Sequence, residues 1–217
     1  ASGSNSAALG MQAQAKGAGS LAAGAAAQAT KDGSTAVGTW TEATAEKTTA
    51  LGDSAHATTN RATALGHDSQ ATGEFSTAAG VSSRASGSAS VATGKNATAS
   101  GANTIAIGNA ANAAGTDSIA TGRQAATTGS NAIATGADSS AANNASAYGN
   151  KAKATGGWSS AFGNESKAAA ADASAFGNTA TAAAQDSTAI GAHSSVTSVA
   201  TGGTALGRSS SVTTAGG

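Results

Sequence analysis

The 217 residues include no cysteine and no proline, only 3% are aromatic, and only 10% are charged. Without cysteine there is no disulfide framework, no thiolate metal site and no thiol nucleophile, and no redox compartment is favoured. Eleven basic residues balance eleven acidic ones. This leaves no basic face for nucleic acid, and no run of like charges marks a tail. Long apolar runs are missing as well, so no segment of about 18 apolar residues could cross a membrane as a helix. What remains, with 30 glycines, is not the composition of an ordinary globular domain.

What is present is a repeat. The chain reads NTIAIG at 103–108, DSIATG at 117–122 and NAIATG at 131–136. Glycines recur every fourteen residues from Gly10 to Gly136, then at Gly149, Gly163, Gly177, Gly191 and Gly207 with steps of 13, 14, 14 and 16. Two residues before each of these fifteen glycines stands alanine, from Ala8 to Ala205. Such uniformity marks a structural slot, and a fixed period must be read before anything else in a sequence.

Fourteen residues do not fit a helical repeat, and a glycine in every helix would cost about 1 kcal/mol each. They fit two short strands and two turns. TIAIG, TAVG, TALG and SAFG alternate over two residues and are rich in β-branched side chains before the slot. The chain is therefore expected to be all-β, a parallel β-solenoid of about fifteen coils, roughly 70 Å long at about 4.8 Å per coil. Charge supports this reading. The four residues before each glycine, the glycine itself, and the third and fifth after it include none of the 22 charged residues and none of the three histidines. The shortened unit loses its residue between Ala141 and Ala145, and the lengthened one gains two between Val196 and Ala205. Both changes fall in a turn, where no strand register is broken. Gly19, Gly33, Asn103 and Asn131 in this turn accept left-handed backbone.

The slot alanine and the alanine five after the glycine, such as Ala29 and Ala71, are expected to meet inside a coil too narrow for anything larger. The residues one and three before the glycine then face outward, and nearly every coil puts a large apolar residue there. Leu51, Leu65, Val91, Ile105, Ile107, Ile119, Ile133, Phe162, Phe176 and Ile190 form this stripe. A continuous exposed apolar stripe invites self-association, and a closed cyclic oligomer leaves no open edge. On the second strand, the column four after the glycine is expected to face solvent. Gln14, Gln28, Glu42, His56, Gln70, Arg84, Lys153 and Lys167 are its candidate ligand-binding residues, beside threonines such as Thr30 and Thr58.

No catalytic constellation emerges, and the chain is not expected to be an enzyme. GAGSLA at 17–22 matches a loose dinucleotide fingerprint but lies in repeat register with no following helix. The pair Gly94 and Lys95 lacks the upstream glycine of a phosphate loop. His56, His67 and His193 occupy three different columns and read as surface histidines. The calcium-roll nonapeptide is absent, so no structural calcium is expected, and with no other ligand set or fingerprint in the sequence no metal and no cofactor are expected either. Trp40 and Trp158 stand near turns and read as local packing or insertion features. An ice-binding solenoid would want threonine both four and six after the glycine, and no unit has both. A disordered or silk-like segment would not respect charge-free columns.

Units such as NTIAIGNAANAAG and DSTAIGAHSSVTS resemble the YadA-like head of trimeric autotransporter adhesins. The resemblance runs through all fifteen units. It implies a left-handed parallel β-roll, homotrimeric about one axis, with residues 1–217 a single repetitive head domain cut from a longer surface protein. It further implies display on the outer membrane surface of a Gram-negative bacterium, with attachment to host matrix such as collagen, fibronectin or laminin, or to cells, and autoagglutination. Neck, stalk and membrane anchor are absent from these residues, so membrane contact would come only through a C-terminal anchor beyond them. The chain departs from the family pattern where threonine (Thr93, Thr121, Thr135) or an aromatic residue (Tyr148, Phe162, Phe176) replaces the last aliphatic.

Overall fold

A computed structural model describes residues 1–214. Each coil carries a strand of three residues ending just before the repeat glycine, as in Thr49–Leu51 and Ile105–Ile107. A strand of two residues begins four after the glycine, as in Gln70–Ala71 and Lys153–Ala154. The chain divides into two compact units, Ala1–Ala110 and Ala111–Gly217. In the first, eight long strands from Ala7–Leu9 to Ile105–Ile107 stack in chain order as a parallel sheet. Seven short strands from Gln14–Ala15 to Thr98–Ala99 stack beside them in the same way. In the second unit, seven long strands run from Ile119–Thr121 to Thr204–Leu206 and eight short ones from Asn112–Ala113 to Ser211–Val212. No helix occurs among the described residues.

Alternation decides which side chains point inward. In Ile105–Ile107 the central Ala106 is fully buried while Ile107 is exposed. Four columns build the core: the residues four and two before the glycine, and those three and five after it. They hold alanine, serine and threonine almost throughout. Most of the buried hydroxyls are satisfied locally by the turns, Ser76 Oγ being an exception without a partner among the described residues. Ser20 Oγ donates to Gly17 O at 2.7 Å in one turn, and Ser69 Oγ to Gly66 O at 2.9 Å in the other. The backbone N–H groups of the same two serines donate to the same two carbonyls. A small hydroxyl therefore suits a turn end that must enter a narrow core, because it brings its own acceptor with it.

The repeat glycine is required by geometry. Gly94 has φ +126°, and a Cβ there would lie 2.6 Å from the carbonyl oxygen of Gly108, one coil on. Left-handed backbone appears at both turns. It occurs at Asn103 and Asn131, as their residue type predicts, and also two after the repeat glycine, at Ala26, Trp40 and Lys151.

The core admits larger residues than the expectation of a coil too narrow for them allowed. Val196 and Thr127 are fully buried five after their glycines. Val196 fits because Gly203 stands where other coils carry serine, threonine or alanine. A Cβ on Gly203 would lie 3.1 Å from Cγ1 of both Val196 and Val212. Thr127 fits because Ser118 meets its hydroxyl at 2.8 Å. The irregular coils keep strand register. Ile133 pairs with Ser146 across the shortened unit and Thr188 with Thr204 across the lengthened one. The extra residues form a second tight turn, in which Ala200 N donates to Thr197 O and Gly203 N to Ala200 O.

Candidate functional site

Each unit presents two outward faces. On the long-strand face of the first unit, Leu51 lies beside Leu65, Val91 beside Ile105 and Thr93 beside Ile107. On that of the second, Ile119 lies beside Ile133, and Tyr148, Phe162 and Phe176 stack with ring centroids 4.8 and 5.0 Å apart. Ile190 follows Phe176. All ten stripe residues thus take the outward face expected of them. Four of them are exposed in the single chain, Leu51 at 37%, Ile107 at 42%, Phe176 at 39% and Ile190 at 40%, and the other six are half-buried. These columns carry no charge, although water reaches them. Self-burial within one chain does not account for that exclusion.

The short-strand face differs in kind. Gln14, Gln28, Glu42, His56, Gln70 and Arg84 follow one another as register partners in the first unit. Lys153 and Lys167 are register partners in the second. All eight are half-buried or exposed. Charges on neighbouring coils are matched at several points. Glu42 Oε2 lies 3.0 Å from His56 Nδ1, Asp53 3.7 Å from His67, and Asp138 2.6 Å from Arg123. His193 Nδ1 meets Thr179 Oγ1 at 2.7 Å, so the three histidines lie apart with separate partners. Among the described residues no group of three or more His, Asp or Glu gathers to hold a metal ion.

Tyr148, noted in the sequence as an aromatic replacement but not counted in the stripe, begins the aromatic stack. Beside it Asn150, Asn164 and Asn178, which the sequence did not single out, form an amide ladder, with Nδ2 donating to Oδ1 of the preceding coil at 3.2 and 3.0 Å. The signal was present as AYGN, AFGN and AFGN at 147–150, 161–164 and 175–178. Lys151 and Glu165, paired at 3.4 Å, join Lys153 and Lys167 around one surface depression. They stand in the turn next to the short strand, a proximity that spacing alone does not reveal. Trp40 and Trp158 contradict the packing expected of them. Both are turn residues with φ near +55°, and they are 62% and 65% exposed because that backbone turns the side chain away from the narrow core.

The family model for the YadA head domain repeat (2 copies) matches residues 1–25, 15–39, 43–69, 71–97, 99–125, 113–139 and 168–194, well over half of the chain. The chain belongs to the YadA head repeat family. YadA heads are left-handed β-rolls, and the coils described above are of that kind. Members are adhesin heads, surface-exposed in Gram-negative bacteria and in general without enzymatic activity. Among solved structures, the collagen-binding domain of the Yersinia adhesin YadA matches at 22% identity, over 79% of this chain and 64% of that one, with a TM-score of 0.26. This chain therefore spans less than two thirds of that structure, and the superposition is too loose to carry residue correspondences. No curated protein matches the chain.

Proposed function

We propose that three copies of this chain associate through their long-strand faces into one adhesive head, which binds extracellular matrix through the outward short-strand faces. One observation carries the trimer. The columns one and three before the glycine are charge-free over fifteen coils, yet Leu51, Ile107, Phe176 and Ile190 remain exposed in the single chain. The equally accessible short-strand column carries Glu42, His56, Arg84, Lys153 and Lys167. Selection against charge on one accessible face and not on the other is what a covered face requires. Three copies around an axis cover it without leaving an edge.

In this reading residues 1–217 serve as one repetitive, non-enzymatic domain of a longer protein at the surface of a Gram-negative bacterium. The matrix ligand, collagen foremost, or fibronectin, laminin or a host cell, meets many weak contacts at regular spacing, and heads on neighbouring cells meet in autoagglutination. Two measurements test this. Light scattering is expected to return three times the 19.9 kDa chain mass, and a monomer overturns the assembly. The same sample is expected to bind at least one of immobilised collagen, laminin and fibronectin, and binding to none overturns the matrix reading.

A further inference from the structure

Lys153 and Lys167 face each other directly in the parallel short-strand ladder, with Cα atoms about 4.8 Å apart. Like charges in directly opposed ladder positions are destabilising. The chain avoids the arrangement elsewhere in this ladder, where Glu42 lies opposite His56. Among the described residues neither Lys153 nor Lys167 has a carboxylate partner. Both are exposed, and both stand on strands anchored by the fully buried Ala154 and Ala168. The third lysine of the unit Ala111–Gly217 is Lys151, and it lines the same depression, together with Glu165 and Ser166. Thus every lysine of the unit converges on one spot. Glu165 is engaged by Lys151 at 3.4 Å, and Ser166 Oγ donates to Gly163 O at 3.0 Å.

We infer that Lys151, Lys153 and Lys167 form an anion subsite that takes a phosphate monoester. Three ammonium groups against one carboxylate leave two uncompensated positive charges, and a phosphate monoester supplies close to two negative ones near neutral pH. Its tetrahedral oxygens accept from two ammonium groups at once, and lysine binds phosphate as a mobile point charge that needs no fixed fork. A local rule broken without structural compensation is where function is expected. The ester can belong to a soluble phosphorylated sugar or to a lipid headgroup, and the chemistry is the same for both. The inference stands apart from the matrix reading, since it requires neither collagen nor the trimer.

The test uses the whole chain. Glucose 6-phosphate and, separately, phosphatidic acid vesicles are titrated while the backbone amide resonances of Lys153, Ser166 and Lys167 are followed. Saturable shifts with either probe, weakened at least tenfold in Lys153→Gln/Lys167→Gln, support the subsite, and the probe that acts identifies the source. No saturation with either probe, or equal affinity in the double variant, overturns it. Lys167→Gln alone is expected to raise the melting temperature at low ionic strength and not at 1 M salt. A fall at low salt would make the ammonium a structural contact and sink the proposal. Because Lys153 and Lys167 also stand on the proposed matrix face, the two readings are separated in the parent chain: saturation by a phosphate probe without matrix binding keeps the subsite and sinks the matrix reading, and matrix binding without phosphate saturation does the reverse.

Discussion

At the scale of single residues the coil is governed by backbone geometry more than by side-chain bulk. Gly94 and Gly19 make the point by contrast. Gly94 combines φ +126° with a carbonyl 2.6 Å from any Cβ, whereas Gly19 has φ +64° and nothing within 4 Å of a Cβ. Gly94→Ala must therefore displace the neighbouring coil, at a cost of more than about 3 kcal/mol, while Gly19→Ala should cost only about 1 kcal/mol. Thermal melts of both variants check this, and similar losses would show that the close coil approach is not limiting. The repeat glycine was legible in the sequence because only glycine satisfies such a position. The left-handed residues two after it were not, because alanine, tryptophan and lysine occupy them. Their conformation is imposed by coil-to-coil hydrogen bonds, such as Trp40 N to Ala25 O at 2.9 Å and Lys151 N to Ala137 O at 2.8 Å, and local propensity gives no warning of it.

At the scale of elements, alternation within a three-residue strand was enough to separate an inner alanine from two outward neighbours, and the structure places them so. The same alternation on a two-residue strand put the ligand column outward. What escaped was volume exchange between columns, since Val196 is admitted only by a glycine seven residues later, and turn residues such as Lys151 that join a face by bending toward it. The proposed covering of the long-strand face is testable at this scale. Ile107→Asp would gather three carboxylates in an apolar centre, where unpaired buried charge costs about 3–5 kcal/mol or more. Gln70→Asp puts the same charge on the short-strand face, where water solvates it. Light scattering and melting should show a dissociated or strongly destabilised Ile107→Asp and a near-normal Gln70→Asp. An Ile107→Asp assembly as stable as the parent would place the interface on another surface.

At the scale of the whole molecule, the number of repeats becomes the variable that matters. Exposed cross-coil ion pairs such as Arg123 with Asp138 contribute at most about 1 kcal/mol each, so in the proposed adhesive reading strong attachment has to come from repetition. A ligand that itself repeats can engage Gln14, Gln28, Glu42, His56, Gln70 and Arg84, which follow one another as register partners, and then the later coils. Each further contact forms at high effective concentration, so affinity rises much faster than the number of sites. A fragment comprising only the unit Ala1–Ala110 retains half of the coils. If it keeps the parent's strand content and a cooperative melt by circular dichroism, its affinity for a collagen triple-helical peptide should fall by about a hundredfold. A simple halving would indicate independent sites. Equal affinity per chain would confine binding to the first unit and remove Lys153 and Lys167 from the matrix-binding face.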